Sequence, residues 1–186
     1  SYLLQFLSIV TFAGGESLSL KIGELKVGQE IFYTGEFVVM RDQAQKRIRK
    51  MLENGEKPSF DLSGKIVFYA GPAKTPREKK IGAIGPTTSE RMDVFLEMLF
   101  KLGVIATVGK GKRSRRAIEL HRKWRRVYFI TPSGASAFLA NRVVDLQVLA
   151  FEDFGPEAVY RIVVKDFPLM VAIDTGGNHL FAYPSL

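Results

Sequence analysis

Residues 85–93 carry the side chains best suited to chemistry in this chain, in the order Gly-Pro-Thr-Thr-Ser-Glu-Arg-Met-Asp. They place hydroxyl groups, a cation and a carboxylate at the predicted start of a helix. Guanidinium groups bind carboxylates through paired hydrogen bonds, and the free amides of a helix start also attract anions. We therefore interpret the segment as part of an anion-binding active site, with Thr87 and Arg91 as its candidate residues.

Two further cations occupy comparable positions in the sequence. Arg41 follows the apolar run 31–40, and Lys110 follows the apolar run 104–108, between two glycines. Ligands of open α/β sheets bind beyond the carboxyl ends of the strands, which is where these cations are predicted to lie. Arg41, Arg91 and Lys110 together would suit a small dicarboxylate.

Structural roles remain open for the same residues. Thr87 and Glu90 have the spacing of a capping box, so the Thr87 hydroxyl could simply cap the helix. Arg91 and Asp93 could form an ordinary surface ion pair, which contributes well under ~1 kcal/mol. A lone Gly-Lys-Gly around Lys110 is more often a turn than a site.

Composition bounds the class of protein. At 186 residues the chain has the size of about one domain, and its net charge of +8 favours an anionic partner. Because it has no cysteine, it has no disulfide, no thiolate metal site and no cysteine nucleophile. His121 and His179 have no nearby carboxylate or histidine at metal-ligand spacing, so we expect no metal site in this chain.

The basic run 110–126 supports an alternative of another class. Such runs neutralise phosphates, and the aromatic residues Trp124 and Tyr128 could stack on bases. A nucleic-acid or other anion-binding module without catalysis is therefore the rival hypothesis. Against it, these aromatics fit the start of the predicted strand 127–130, so we expect no nucleic-acid partner.

Strand and helix signals alternate along the chain, which predicts an α/β fold in a single domain, 1–186. The predicted strands are 31–40, 65–70, 104–108, 127–130, 143–151, 159–164 and 169–174. Helices are predicted at 42–54, at 89–103 and at 133–141. Another predicted helix, in the basic run, has Ala117, Ile118 and His121 on its inner face. Asp42 and Gln45 have the spacing of a second possible capping box.

Residues 1–15 are an N-terminal extension of uncertain role. Their apolar part, 2–13, is shorter than the roughly 20 residues that span a bilayer, so we predict a strand or an ordered extension and no membrane association. A cleavable signal peptide is the alternative, because Ala13-Gly14-Gly15 offers small residues. We expect a cytoplasmic protein.

In their order, these segments resemble the β subunit, or C-terminal domain, of class I fumarate hydratases and the related L-tartrate dehydratases. The segment 85–93 is the most specific match, and the resemblance covers nearly everything after about Leu25. Other matching residues are Val27-Gly28, Tyr33-Thr34-Gly35, Arg41-Asp42, Tyr69-Ala70-Gly71-Pro72, Gly109-Lys110-Gly111, Gly155-Pro156-Glu157-Ala158 and Asp166-Phe167-Pro168.

The resemblance implies a three-layer swivelling β/β/α domain that packs against a larger α subunit. In this family the α subunit holds a 4Fe-4S cluster on three cysteines, and an open iron of the cluster acts as a Lewis acid. The resemblance assigns Arg41, Arg91 and Lys110 to binding of a C4-dicarboxylate. Thr87 would help to move the C3 proton, assisted by an acid group of the partner, because a threonine hydroxyl alone is a poor base.

The implied function is that of a hydro-lyase β subunit that, only with its α subunit, reversibly hydrates fumarate to L-malate. L-tartrate dehydratase is the alternative. The implied assembly is a hetero-oligomer, or a homodimer when the β chain is isolated, with the basic run at the partner interface or attracting dianions. One departure concerns Gln45, which stands where the family usually has a histidine and cannot titrate near neutral pH.

Overall fold

The computed structural model describes residues 11–13, 21–72, 84–131 and 141–183. The strands are β1 (Thr11–Ala13), β2 (Glu30–Val39), β3 (Ile66–Phe68), β4 (Ala70–Pro72), β5 (Ile84–Pro86), β6 (Ala106–Gly109), β7 (Val127–Ile130), β8 (Val143–Ala150) and β9 (Val159–Ile173). The helices are α1 (Asp42–Glu53), α2 (Leu96–Lys101) and α3 (Arg115–Trp124), with 3-10 helices at Ile22–Glu24, Glu90–Phe95 and Glu152–Glu157. The predicted α/β fold is confirmed.

Five strands of a seven-stranded sheet form a closed ring. The strands β2, β3, β6 and β7 are neighbours and run parallel, and β9 pairs antiparallel with both β7 and β2. Strand β1 adds to β2 in parallel, and β8 adds to β9 antiparallel. Because the four neighbouring strands are parallel, their carboxyl ends all reach the same edge of the sheet.

The interior of this closed sheet is filled by apolar side chains. Phe37 of β2, Phe68 of β3 and Phe167 of β9 meet there, with ring centroids 5.3 to 5.7 Å apart. Tyr33 stacks on Phe37 at 4.9 Å. Aromatic pairs contribute roughly 0.5–1.5 kcal/mol beyond their burial of area, so three strands are fixed around one core.

The other faces of β2 and β3 are covered by helices. Val38, Met40 and Val67 pack there against Ala44 and Ile48 of α1. Both faces are buried at residues 37–40 and 66–68, so the sequence is a continuous apolar run there, whereas residues 30–34 of β2 alternate between buried and more exposed positions. The same packing places the amino-terminal end of α1 at the carboxyl end of β2.

The two strands predicted at 159–164 and 169–174 are a single strand, β9. Asp166 takes a left-handed conformation with φ of 48°, and its amide donates to the Thr34 hydroxyl oxygen at 2.9 Å. A shift of register beside Thr34 absorbs this bend, so β2 and β9 continue to pair on both sides of it. The Asp-Phe-Pro sequence therefore bends the strand without ending it.

Other boundaries also differ from the predictions. The helix predicted at 89–103 is a 3-10 helix, Glu90–Phe95, followed by the short helix α2. The strand predicted at 65–70 is divided between β3 and β4, and β8 ends at Ala150. In the 3-10 segment the buried residues Met92 and Phe95 are three positions apart, which places both on one face of a helix with three residues per turn.

Some predictions fall on the remaining residues. Strand β1 confirms an extended conformation within the predicted segment 2–13, and the rest of the extension 1–15 lies outside the described residues. The helix predicted at 133–141 also lies outside them, except for its last residue. In the part of the chain that the structure describes, no helix has the length and apolar character needed to cross a membrane.

Candidate active site

The carboxyl ends of β2, β3 and β6 lie next to one another and carry the candidate residues. Arg41 lies two residues beyond β2, and Lys110 directly follows β6. Thr87 and Arg91 follow the hairpin of β4 and β5, which continues from β3. The structure therefore places all four side chains along one edge of the sheet.

Backbone hydrogen bonds join Thr87 to the end of β3 and to Lys110. The Thr87 amide donates to the Tyr69 carbonyl at 2.8 Å, and the Lys110 amide donates to the Thr87 carbonyl at 3.3 Å. The Ser89 amide donates to the Lys110 carbonyl at 3.1 Å. A Cβ atom at Gly109 would lie 1.9 Å from the Ser89 hydroxyl oxygen, so glycine is required for this close approach.

Arg91 links Thr87 to the start of α1. Its Nε donates to Asp42 Oδ2 at 3.0 Å, and its Nη2 donates to the Thr87 hydroxyl oxygen at 3.0 Å. The surface pair considered between Arg91 and Asp93 is therefore wrong, because Asp42 is the partner. The Arg91 side chain is 42% exposed, so its guanidinium keeps a solvent-facing side that an anion can reach.

Neither possible capping box forms. Ser89 is the N-cap of the 3-10 helix and Arg41 is that of α1, and neither side chain makes a capping hydrogen bond. The Thr87 hydroxyl accepts from Arg91 instead. The spacing of a capping box is therefore present in the sequence, but Thr87 instead pairs with Arg91, which is itself held by the distant Asp42.

Arg41 has incompletely satisfied hydrogen bonding. Its Nε lies 4.0 Å from Glu157 Oε1, and within the described residues this buried nitrogen has no hydrogen-bond partner. A Cβ atom at Gly71 would lie 2.9 Å from Arg41 Nη1, so glycine leaves the guanidinium its space. The charge of Arg41 can therefore interact with a carboxylate that arrives at this edge.

Lys110 is exposed. Over the described ranges, no carboxylate lies within ion-pair distance of its ammonium group. The three cations at the edge thus outnumber the carboxylates paired with them, Asp42 and Glu157. An excess of positive charge in one place attracts anions, and a dianion more than a monoanion.

Beneath this edge lies Arg113, a cation that the sequence did not single out. It is fully buried, and its Nε donates to Asp93 Oδ1 at 2.5 Å. Its other nitrogens donate to Thr107 Oγ1 at 3.1 Å and to Tyr69 Oη at 3.3 Å. Burial opposes its charge, but Tyr69, Asp93 and Tyr128 outweigh burial and raise the pKa of Arg113 above its usual value. Arg113 is therefore a permanent buried cation.

Two further contacts fix the loop after β6 against the 3-10 helix. Asp93 Oδ2 accepts from the Ser114 amide at 2.7 Å. Tyr128 Oη lies 2.9 Å from both the Ser89 hydroxyl oxygen and the Gly111 carbonyl oxygen. The loop that carries Lys110 is therefore held in place by hydrogen bonds to the side chains of Asp93 and Tyr128.

The basic run 110–126 includes helix α3, whose buried residues are Ala117, Leu120 and His121. The predicted inner face is thus confirmed for two residues, whereas Ile118 is only partly buried. The His121 Nδ1 lies 2.7 Å from the Ala117 carbonyl oxygen. Burial, together with the nearby charge of Arg113, lowers the pKa of His121 to about 3, so this histidine is neutral near pH 7.

Of the two aromatic residues considered for stacking on bases, Tyr128 is buried and Trp124 is partly buried. Tyr128 is fully buried, and Trp124 packs against a cluster of buried apolar residues. Tyr128 therefore offers no surface on which a base could stack. Among the described residues, no group of three or more His, Cys, Asp or Glu side chains could hold a metal ion.

Comparison with known proteins identifies relatives over most of the chain. A family model described as Fumarase C-terminus matches residues 9–183. The L(+)-tartrate dehydratase subunit beta of Escherichia coli K12 is 35% identical over 164 residues, which are 86% of this chain and 80% of that protein.

Fumarate hydratases are related at similar identity but are much longer. Fumarate hydratase 2 of Leishmania major is 34% identical over 164 residues, which are 87% of this chain and 29% of that protein. The anaerobic class I fumarate hydratase of Escherichia coli K12 is 31% identical over 163 residues, which are 87% of this chain and 30% of that protein. The chain thus spans less than a third of the length of these two relatives.

Proposed function

Because this chain belongs to the Fumarase C-terminus family, we propose that it is the β subunit of an iron-sulfur hydro-lyase. With an α subunit it reversibly hydrates fumarate to L-malate. The observation that carries the proposal is the edge of the sheet, where Arg91 contacts Thr87 and the cations Arg41 and Lys110 lie beyond the ends of neighbouring strands. L-tartrate is the second candidate substrate, favoured by the relative of similar length that is named as a tartrate dehydratase subunit beta.

The three cations bind the two carboxylates of the substrate. Arginine suits this role because its planar guanidinium donates two parallel hydrogen bonds to one carboxylate. Arg91 keeps an exposed side for such a bond, and Lys110 has no ion-pair partner among the described residues. Together the cations hold the dianion against the edge of the sheet, close to the hydroxyl that Arg91 touches.

Thr87 takes part in moving the C3 proton. Its oxygen accepts a hydrogen bond from the Arg91 guanidinium at 3.0 Å, so negative charge that develops on this oxygen lies beside a cation. A threonine hydroxyl remains a poor base even there. The proton transfer therefore needs an acidic side chain of the α subunit, which as a carboxylate takes the hydroxyl proton of Thr87 while the hydroxyl oxygen takes the C3 proton.

The residues of this chain do not fit a 4Fe-4S cluster. The chain has no cysteine, and the described residues hold no cluster of other ligand types. We assign the cluster to the α subunit for this reason. We also propose that residues 1–186 form one domain, whose closed sheet and outer helices correspond to the three-layer swivelling β/β/α arrangement.

The test is anaerobic co-expression with the candidate α chain, followed by assays on fumarate and on both tartrates. We expect the complex to hydrate fumarate, and each chain alone to be inactive. Faster turnover of L-tartrate than of fumarate would make the second candidate the physiological substrate. An inactive complex, combined with salt-dependent binding of DNA by this chain alone, would replace the proposal with the anion-binding hypothesis.

The role of Thr87 predicts unequal effects of two substitutions. Thr87→Ser keeps the hydroxyl and should retain at least about tenfold more turnover than Thr87→Val, because positioned proton transfer contributes roughly 10²–10⁴ in rate. The measurement is kcat of the assembled complex. Thr88→Val is the matched control, since Thr88 is the exposed neighbouring threonine and should tolerate the change. Equal rates for the two Thr87 variants would remove its hydroxyl from the chemistry.

A further inference from the structure

Gln45 is a fully buried polar residue between the two arginines of the site. We propose that Gln45 is a positioning residue. It holds the backbone at Arg41, at the start of α1, against the 3-10 helix Glu90–Phe95, which carries Arg91. The inference rests on the proposed function, because its effect is exerted through the cations that bind the substrate. Gln45 is 0% exposed, so it acts through these neighbours and does not touch the substrate.

The amide nitrogen of Gln45 makes both contacts. Its Nε2 donates to the Arg41 carbonyl oxygen at 3.3 Å and approaches Met92 Sδ at 3.3 Å. The Arg41 carbonyl also accepts from the Gln45 backbone amide at 3.3 Å. Since Met92 directly follows Arg91 and is itself buried, the Gln45 side chain connects the backbone of Arg41 with the side chain next to Arg91.

Within the described part of the chain, the side-chain oxygen of Gln45 lacks a hydrogen bond, which lowers the stability of the fold. Gln45 Oε1 is buried and, among the residues the structure describes, has no hydrogen-bond donor. A buried carbonyl without a donor destabilises a protein, so a residue chosen for packing alone would be apolar here. Arg41 Nε, one helical turn away, is a second buried atom without a partner. Unsatisfied groups concentrated at one place of the fold point to a functional reason for them.

The test uses the assembled complex with two variants of residue 45. Gln45→Met keeps the length and volume of the side chain but removes the amide. We expect its melting temperature to be unchanged or higher, while KM for the dicarboxylate rises about fivefold with little change in kcat, because uniform binding is lost. Gln45→His retains a ring nitrogen as donor and should keep KM within about twofold.

A second measurement separates this inference from the proposed function. Calorimetric titration of the same complexes with succinate, an unreactive C4-dicarboxylate, reports binding without turnover. Weaker succinate binding by Gln45→Met in an inactive complex would support the positioning role and overturn the assigned reaction. Unchanged KM and unchanged succinate affinity in Gln45→Met would overturn the positioning role. Should Gln45→Met fail to fold, Gln45→Asn, whose amide is one methylene shorter, must show the same weakening.

Discussion

Replacing Arg91 with alanine is expected to lower kcat/KM of the assembled enzyme on the order of a hundredfold while this chain stays folded. The guanidinium contacts Thr87 and faces solvent, so its removal deletes both a proposed substrate contact and the cation beside the reacting hydroxyl. Its ion pair with Asp42 is partly exposed, and such pairs contribute at most about 1 kcal/mol to stability.

The experiment compares initial rates and thermal unfolding of three variants. Arg91→Lys keeps the charge without the paired hydrogen bonds, so its activity should fall between those of the alanine variant and the unmodified chain. Arg49→Ala is the matched control, because Arg49 is an exposed arginine that packs on Phe95. Unmodified activity in Arg91→Ala would exclude this residue from the site.

Asp93→Asn is expected to destabilise the chain by about 3–5 kcal/mol, because it leaves the buried Arg113 cation without its counter-ion. The contact is short, at 2.5 Å, and Arg113 is fully buried, so water cannot replace the lost carboxylate. The measurement is the free energy of unfolding in urea, taken from the midpoint and slope of the transition.

A matched control makes the same chemical change at the surface. Arg47 and Asp153 form two hydrogen bonds, at 2.8 and 2.6 Å, but the Asp153 side chain is 63% exposed. Asp153→Asn should therefore cost less than about 1 kcal/mol. A double variant, Asp93→Asn with Arg113→Met, should recover part of the loss, since no buried charge remains. Equal costs for the two single variants would contradict the buried-pair argument.

Local sequence patterns predicted which helices and strands form better than they predicted where each one begins and ends. Helix α1 was predictable because Ala44, Ile48 and Leu52 recur at helical spacing, and two of them are buried in the structure. Strand β9 was predicted as two strands because Asp166 and Pro168 look like a break. Its continuity depends on β2, which supplies the Thr34 hydroxyl at the bend. No pattern within 159–174 contains that information.

In the candidate site, too, local patterns predicted the positions of residues, whereas contacts between residues far apart in the sequence were not predictable. Arg41, Thr87, Arg91 and Lys110 could be placed at strand ends from the sequence, and the structure places them along one edge. The pairing of Arg91 with Asp42 joins residues 49 positions apart, so a capping spacing could not reveal it. Arg113 was missed because it is one cation among many in a basic run, and only the structure shows that it is buried.

The pairing of β9 with both β2 and β7 has a consequence for biosynthesis. On the ribosome, every candidate residue from Arg41 to Lys110 is synthesised before Val159, the first residue of β9. Until that last strand emerges, β2 and β7 lack a neighbour and leave hydrogen-bonding groups open to aggregation. Contacts of such long sequence separation form slowly, so the cationic edge acquires its final geometry only after translation has passed β9.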